Sequence, residues 1–362
     1  MVVGYIAPVC VASETHAVTS PGTMAEANVP GQTPLDPAAP IKGRATLRGH
    51  LAICRIDHWF KNVFVLPGIV AAYGVDPTHV SPDLWQRVVI GLASICLVAS
   101  SNYVINEVLD APSDLSHPVK HKRPVPSGKV NIPLAYVQWI ALMVVGVALG
   151  RLISPAFMFT ALFLWVMGCI YNIRPVRSKD LPYVDVLSEA VNNPIRMLAG
   201  WFITGTPSVA PASLLLSYWM VGCYFMAMKR YAEFRDIADA PRAAAYRKSF
   251  AFYTEERLLV SIMFYGSAAM LFLGAFAFRY RLELVLAFPL VSLVMALYLM
   301  IAFRKDSAVQ RPEGLYKEPT LMVAVVTCAV VVCVALLVDM PVLQKVFQPT
   351  APTIEQQSAA KP

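Results

Sequence analysis

The chain has 362 residues, 57% of them apolar and 15% charged, with 30 Lys and Arg against 23 Asp and Glu for a net charge of +7. Soluble domains carry about 25% charged residues, so this composition excludes an ordinary soluble enzyme. The cations fall in short loops beside apolar runs, which excludes a nucleic-acid-binding module.

Residues 1–43 are Pro-, Thr-, Ala- and Gly-rich without pattern and read as a disordered leader, and the apolar patch from Val2 to Val11 lacks the cationic stretch of a secretory signal. Apolar runs near the length that crosses about 30 Å of hydrocarbon follow at 86–107, 133–153, 154–173, 211–228, 259–278, 282–303 and 320–342. Two further runs are interrupted by polar residues: 51–74, with Arg55, Asp57, His58 and Lys61, and 182–206, with Asp185, Glu189, Asn192, Asn193 and Arg196. The predicted fold is an all-α polytopic membrane protein of about nine transmembrane helices, occupying 44–342, with 343–362 as a disordered tail. With the N-terminus inside, the inner segments collect 23 Lys and Arg and the outer ones six. That asymmetry predicts a multi-pass protein of the inner (plasma) membrane whose polar cavity faces the cytoplasm.

In chain order, the first polar group is Arg55 to Asn62 at the mouth of the first span, whose cations are within reach of a phosphate or simply anchor the helix at the interface. Next come Asn106, Asp110 and Asp114, spaced by four so as to share one helix face, followed by His117, Lys120, Lys122 and Arg123. Hard oxygen ligands beside a cation cluster suit a divalent metal holding a diphosphate. The plainer alternative is a pair of aspartates capping the helix or bridging to Lys120 and Arg123. Pro112 predicts a kink or an end of the helix between Asp110 and Asp114.

A second polar group runs from Tyr171 through Arg174, Arg177 and Lys179 to Asp185. Asp185, Glu189, Asn192 and Arg196 then form a stripe along the fifth span. Ionisable groups at that depth need a wet cavity or a partner. The stripe therefore reads as a site, or else as an internal Glu189–Arg196 pair or a hydrogen bond to Asn193 that packs helices. Lys229, Arg230 and Glu233 end the sixth span, and the loop from Asp236 to Glu256 reads equally as a lid or as a membrane-surface helix. The seven cysteines contain no CxxC pair, and the six histidines form no helical ligand pair, so neither disulfides nor zinc are expected.

Asn106-x3-Asp110-x3-Asp114, with Arg123-Pro124 nine positions on, resembles the first aspartate motif of the UbiA prenyltransferase superfamily. His117-Pro118-Val119-Lys120-His121-Lys122-Arg123-Pro124, Trp59-Phe60-Lys61-Asn62 and Lys229-Arg230-Tyr231-Ala232-Glu233 are similar to the motifs of its decaprenyl-phosphate phosphoribosyltransferase branch, some of whose rhizobial relatives are linked to nodulation. Glu107 and Glu189 stand where that pattern has aspartates, and Pro112 interrupts it. The resemblance implies nine transmembrane helices and transfer of a phosphoribosyl group from 5-phosphoribosyl diphosphate to a polyprenyl phosphate. It implies Mg²⁺ held by Asn106, Asp110, Asp114, Asp185 and Glu189, with Asn106, Asp110, Asp114 and Asp185 central to catalysis. Phosphates would fall to Lys61, Lys120, Arg123, Tyr171, Arg177, Lys179, Lys229 and Arg230. Prenylation of an aromatic acceptor and transport of a phosphorylated solute are the alternative activities, no nucleic-acid partner is expected, and a homo-oligomer is compatible with the sequence.

Overall fold

In the computed structural model the described residues are 44–347, apart from 76, 80, 116–119, 238–242, 244–245 and 311. His117, Pro118, Val119 and Arg242, the leader and the last part of the tail lie outside them. All regular structure among the described residues is helical. The order is α1 (Leu47–Ala52), a 3₁₀ segment (Ile56–Val65), α2 (Leu66–Val75), α3 (Leu84–Asp114), α4 (Ile132–Arg151), α5 (Pro155–Asn172), α6 (Val184–Ala190) and α7 (Asn192–Ile203). It continues with α8 (Ala212–Ile237), α9 (Glu255–Tyr280), α10 (Phe288–Ala302), α11 (Pro319–Leu337) and α12 (Pro341–Val346).

Local chemistry sets the helix starts. Asn131, Ser154 and Thr254 accept hydrogen bonds from the backbone N–H groups three residues on, satisfying donors that a helix N-terminus leaves open. Among the described residues, six segments are long and apolar enough to cross a membrane: Leu84–Asp114, Ile132–Arg151, Pro155–Asn172, Glu255–Tyr280, Leu282–Ala302 and Pro319–Leu337. On α4, Leu134, Val137, Val144 and Val145 stay exposed, as suits a helix turned to hydrocarbon.

The polar-interrupted runs behave differently. Residues 51–74 break into a 3₁₀ segment and α2, and 182–206 break into α6 and α7 at Val191. Pro194 has no N–H to return to the Ala190 carbonyl, so one ladder bond is missing where α6 gives way to α7. The run at 211–228 extends to Ile237 in α8.

Two expectations are corrected. α3 continues through Pro112 to Asp114 rather than stopping between the aspartates. Pro112 lies in the last turn, where it removes one ladder bond and its exposed ring points outward. The tail expected to be irregular from 343 begins instead inside α12, whose N1 position is Pro341, the favoured proline site of a helix start.

One large apolar cluster joins α6, α8, α9 and α10 through Val186, Met228, Leu258 and Ile301; another joins α2, α3, α5 and α7 through Ala72, Ile95, Phe157 and Ile203. Two glycines allow α7 to approach the first span closely. A Cβ on Gly68 would lie 1.8 Å from the Met197 carbonyl oxygen, and one on Gly200 would lie 1.9 Å from that of Val65.

Candidate active site

The end of α3 builds one half of the site. Asn106, Asp110 and Asp114 share a face, as their spacing requires, and the segment after α5 supplies their partners. The Asp110 Oδ1 atom accepts from Lys179 Nζ at 2.6 Å and Arg177 Nη2 at 3.0 Å. Asn106 Nδ2 donates to Asp110 Oδ2 at 3.3 Å and to Asn172 Oδ1 at 2.6 Å, and Lys179 reaches the same Asn172 oxygen at 2.9 Å. Arg177 also pairs with Asp180 at 3.2 Å. One turn beyond Asp110, Asp114 Oδ2 accepts from Arg123 Nη1 at 2.6 Å. The aspartates and loop cations singled out in the sequence are thus brought together as ion pairs.

Burial pushes the Lys179 ammonium below the ordinary lysine range, outweighing the attraction of Asp110. Burial does the same to Lys120, with Asp114 opposing it, and the Lys120 ammonium lies 5.1 Å from the centre of the Tyr246 ring. Arg177 and Tyr183 hold positive φ, 33° and 62°, at about 1–3 kcal/mol each for a non-glycine residue. Their partners fix them there: Arg177 through its two carboxylates, Tyr183 through its backbone N–H, which donates to Tyr253 Oη at 2.6 Å.

The second half is organised by Arg230. Its Nε donates to Asp185 Oδ2 at 3.0 Å, its Nη2 to Glu189 Oε2 at 2.7 Å and its Nη1 to Glu233 Oε2 at 3.2 Å. Asp185, fully buried, also accepts from Tyr253 Oη at 2.7 Å and Ser249 Oγ at 3.3 Å, and Arg247 lies 3.5 Å away. Tyr171 donates to Glu189 at 2.9 Å, and Lys229 is an electrostatic neighbour of the same carboxylate. Lys61 lies 3.2 Å from His58 Nδ1.

This arrangement redistributes the expected roles. Arg230 is 1% exposed and gives its donors to three carboxylates, the geometry of a structural hub. Asp185 and Glu189 belong to that hub, and the metal role expected of them does not follow from their placement. Among the described residues no three carboxylate, thiol or imidazole side chains converge as a metal cage. Mg²⁺ is usually held by one or two carboxylates plus waters and substrate phosphates, and the hard oxygens of Asp110, Asp114 and Asn106 fit that donor set.

Two contacts here escape a sequence reading. Glu107, 1% exposed on α3, accepts from Arg55 Nη2 and from the Val125 backbone N–H, both at 3.2 Å, and so pins the loop that carries Arg123. A charged residue amid an apolar helix was the available signal. Tyr253 and Ser249 gave none.

A model of the UbiA prenyltransferase family matches residues 63–322. The decaprenyl-phosphate phosphoribosyltransferase of Mycobacterium tuberculosis is 30% identical over 232 residues, 64% of this chain and 74% of that protein. The nodulation protein NoeC of Azorhizobium caulinodans is 27% identical over 287 residues, 78% and 88% of the two chains. A UbiA homologue from Archaeoglobus fulgidus, solved with DMAPP and Mg²⁺, superposes with a TM-score of 0.61 at 21% identity, covering 79% of this chain and 99% of that one.

Proposed function

The chain belongs to the UbiA prenyltransferase family and is an integral membrane transferase, and from that premise we propose that it moves a 5-phosphoribosyl group from 5-phosphoribosyl diphosphate to a polyprenyl phosphate with release of diphosphate. The observation that carries this reading is the junction of Asp110 with Lys179 and Arg177, two cations within 3.0 Å of one carboxylate at the end of a membrane helix. Carboxylates suited to a divalent metal and cations suited to phosphate oxygens meet there. The 30% identity to a decaprenyl-phosphate phosphoribosyltransferase supports this donor over a prenyl diphosphate.

In the proposed reaction the bond from the anomeric carbon to the diphosphate oxygen breaks with its electron pair leaving on the diphosphate. A lipid phosphate oxygen forms the new bond to that carbon. Mg²⁺ held by Asp110 and Asp114, with Asn106 beside them, would supply Lewis-acid charge to the departing diphosphate. Lys179, Arg177, Arg123 and Lys120 donate to its oxygens, and removing one such preorganised donor costs about 2.7–4 kcal/mol of transition-state stabilisation. The Arg230 hub keeps Glu189 and through it Tyr171 in place. An anionic phosphate nucleophile needs no general base. The excess of loop cations on the side of the site supports a cytoplasmic orientation in a plasma membrane.

The test is transfer of radiolabelled phosphoribosyl from 5-phosphoribosyl diphosphate to decaprenyl phosphate by detergent-purified protein, with Mg²⁺ or with EDTA. Mg²⁺-dependent label in the lipid phase is the expected result. No label, with prenylation of 4-hydroxybenzoate from a prenyl diphosphate instead, would replace this reading with the aromatic-acceptor one.

A further inference from the structure

Arg196 does not make the ion pair with Glu189 that their spacing allows. Glu189 is taken by Arg230 and Tyr171. Arg196 instead donates from Nε to Asn62 Oδ1 at 3.0 Å and, at the long distance of 3.4 Å, from Nη1 to the Asn192 carbonyl. No carboxylate among the described residues pairs with it, and Nη2 has no acceptor among them. Its electrostatic neighbours are the Tyr103 and Tyr218 hydroxyls and the Cys96 thiol, all neutral groups. Asn62 cannot turn away, because its Nδ2 donates to Cys96 Sγ at 3.0 Å. Beside it the Asn192 Oδ1 atom is buried without a hydrogen-bond partner.

Arginines inside membrane proteins face a wet cavity or take partners, and Arg196, partly exposed and with only neutral partners, is an anion site in waiting. The surroundings say which anion. Asn62 belongs to the 3₁₀ segment, and the next two residues, Val63 and Phe64, are 53% and 38% exposed on the apolar surface of the protein. Phe64 packs edge-on against Tyr218, with ring centres 6.3 Å apart. A hydrocarbon chain lying along Val63 and Phe64 would thus end at the fork of Arg196, with the Tyr103 and Tyr218 hydroxyls as further donors. We propose that Arg196, positioned by Asn62, binds the phosphate monoester of the lipid substrate. The proposal rests on the reading of that substrate as a polyprenyl phosphate and assigns its headgroup site.

The test is a thermal-shift titration of the purified full-length protein with farnesyl phosphate, farnesol or inorganic phosphate, with no donor sugar present. Wild type is expected to be stabilised by farnesyl phosphate more than by either other probe. Arg196→Met is expected to weaken farnesyl phosphate binding about 10- to 100-fold, the loss of a charge-assisted hydrogen-bond pair, and Arg196→Lys to keep most of it. Asn62→Asp supplies a carboxylate where Asn62 Oδ1 now meets Arg196. It should fold at least as well as wild type and bind farnesyl phosphate as poorly as Arg196→Met, a result that a purely structural role for Arg196 does not give. Unchanged affinity in Asn62→Asp or in Arg196→Met overturns the proposal. So does stabilisation of wild type by farnesol or by inorganic phosphate as strong as that by farnesyl phosphate. Neither donor nor turnover enters this titration, so its failure is separate from a failure of the transfer assay.

Discussion

Replacing Arg230 by Met separates two roles for that residue. Its guanidinium neutralises Asp185, Glu189 and Glu233 from a position 1% exposed to solvent, and the Asp185 side chain is 0% exposed. Removing one partner of a buried pair costs about 3–5 kcal/mol, because the other charge is left uncompensated. Asp185 would keep Tyr253, Ser249 and the more distant Arg247, which places the loss toward the lower end of that range. At about 1.4 kcal/mol per decade, about 3 kcal/mol lowers the folded-to-unfolded ratio roughly a hundredfold. The assay is the fraction of detergent-purified protein that stays monodisperse by size exclusion after heating. Arg230→Met should aggregate at a clearly lower temperature than wild type. Arg230→Lys should rescue little, since one ammonium cannot reproduce three directed N–H bonds. Arg230→Met combined with Asp185→Asn should regain part of the loss. A variant with wild-type thermal stability whose KM for the diphosphate substrate has risen would refute the hub and restore the phosphate-binding role that the sequence suggests.

Asp114→Asn and Asp110→Asn should each reduce turnover by at least about 100-fold while the protein still purifies folded, because Arg177 keeps Asp180, Lys179 keeps Asn172, and Arg123, the partner of Asp114, is 28% exposed to solvent; a transfer assay beside a melting curve reads both. Glu107→Gln retains an acceptor for the Val125 N–H but loses the charge that holds Arg55, so stability should fall by about 1.5–3 kcal/mol with the transfer rate per folded molecule largely kept. Gly200→Ala drives a methyl into the Val65 carbonyl, and Gly68→Ala drives one into that of Met197. Both variants should show poor recovery of folded protein after detergent extraction.

The helical, membrane-embedded class and the grouping of Asn106, Asp110 and Asp114 with loop cations were legible because both rest on local pattern, apolar length in one case and four-residue spacing in the other. Beyond the Asp114–Arg123 bridge, which nine-residue spacing already offered, the partners of the cations were not legible. Arg230 meets Glu189 from 41 positions away and Asp185 from 45, and nothing in a one-dimensional pattern says which face of α8 turns toward α6. The same limit hid the Arg55–Glu107 pair, which joins residues 52 positions apart. Pro112 misled for a different reason. The penalty of proline in a helix depends on how many ladder bonds lie beyond it, and only the structure shows that α3 has nearly finished there.

The pairing of Asp110 with Lys179 and Arg177 has a consequence for the order in which ligands arrive. A divalent ion on that carboxylate competes with the Lys179 ammonium and the Arg177 guanidinium, both held at Oδ1, and a diphosphate claiming those cations draws them off the carboxylate. Either ligand alone therefore breaks ion pairs that it cannot replace. Together they exchange one set of neutralised charges for another. The two affinities are then linked, each raised by the presence of the other by the same factor, with couplings of this kind typically worth about 1–3 kcal/mol. Under the proposed function such a site would favour the metal-bound diphosphate over free metal or free phosphate and return to its own internal salt once the product departs.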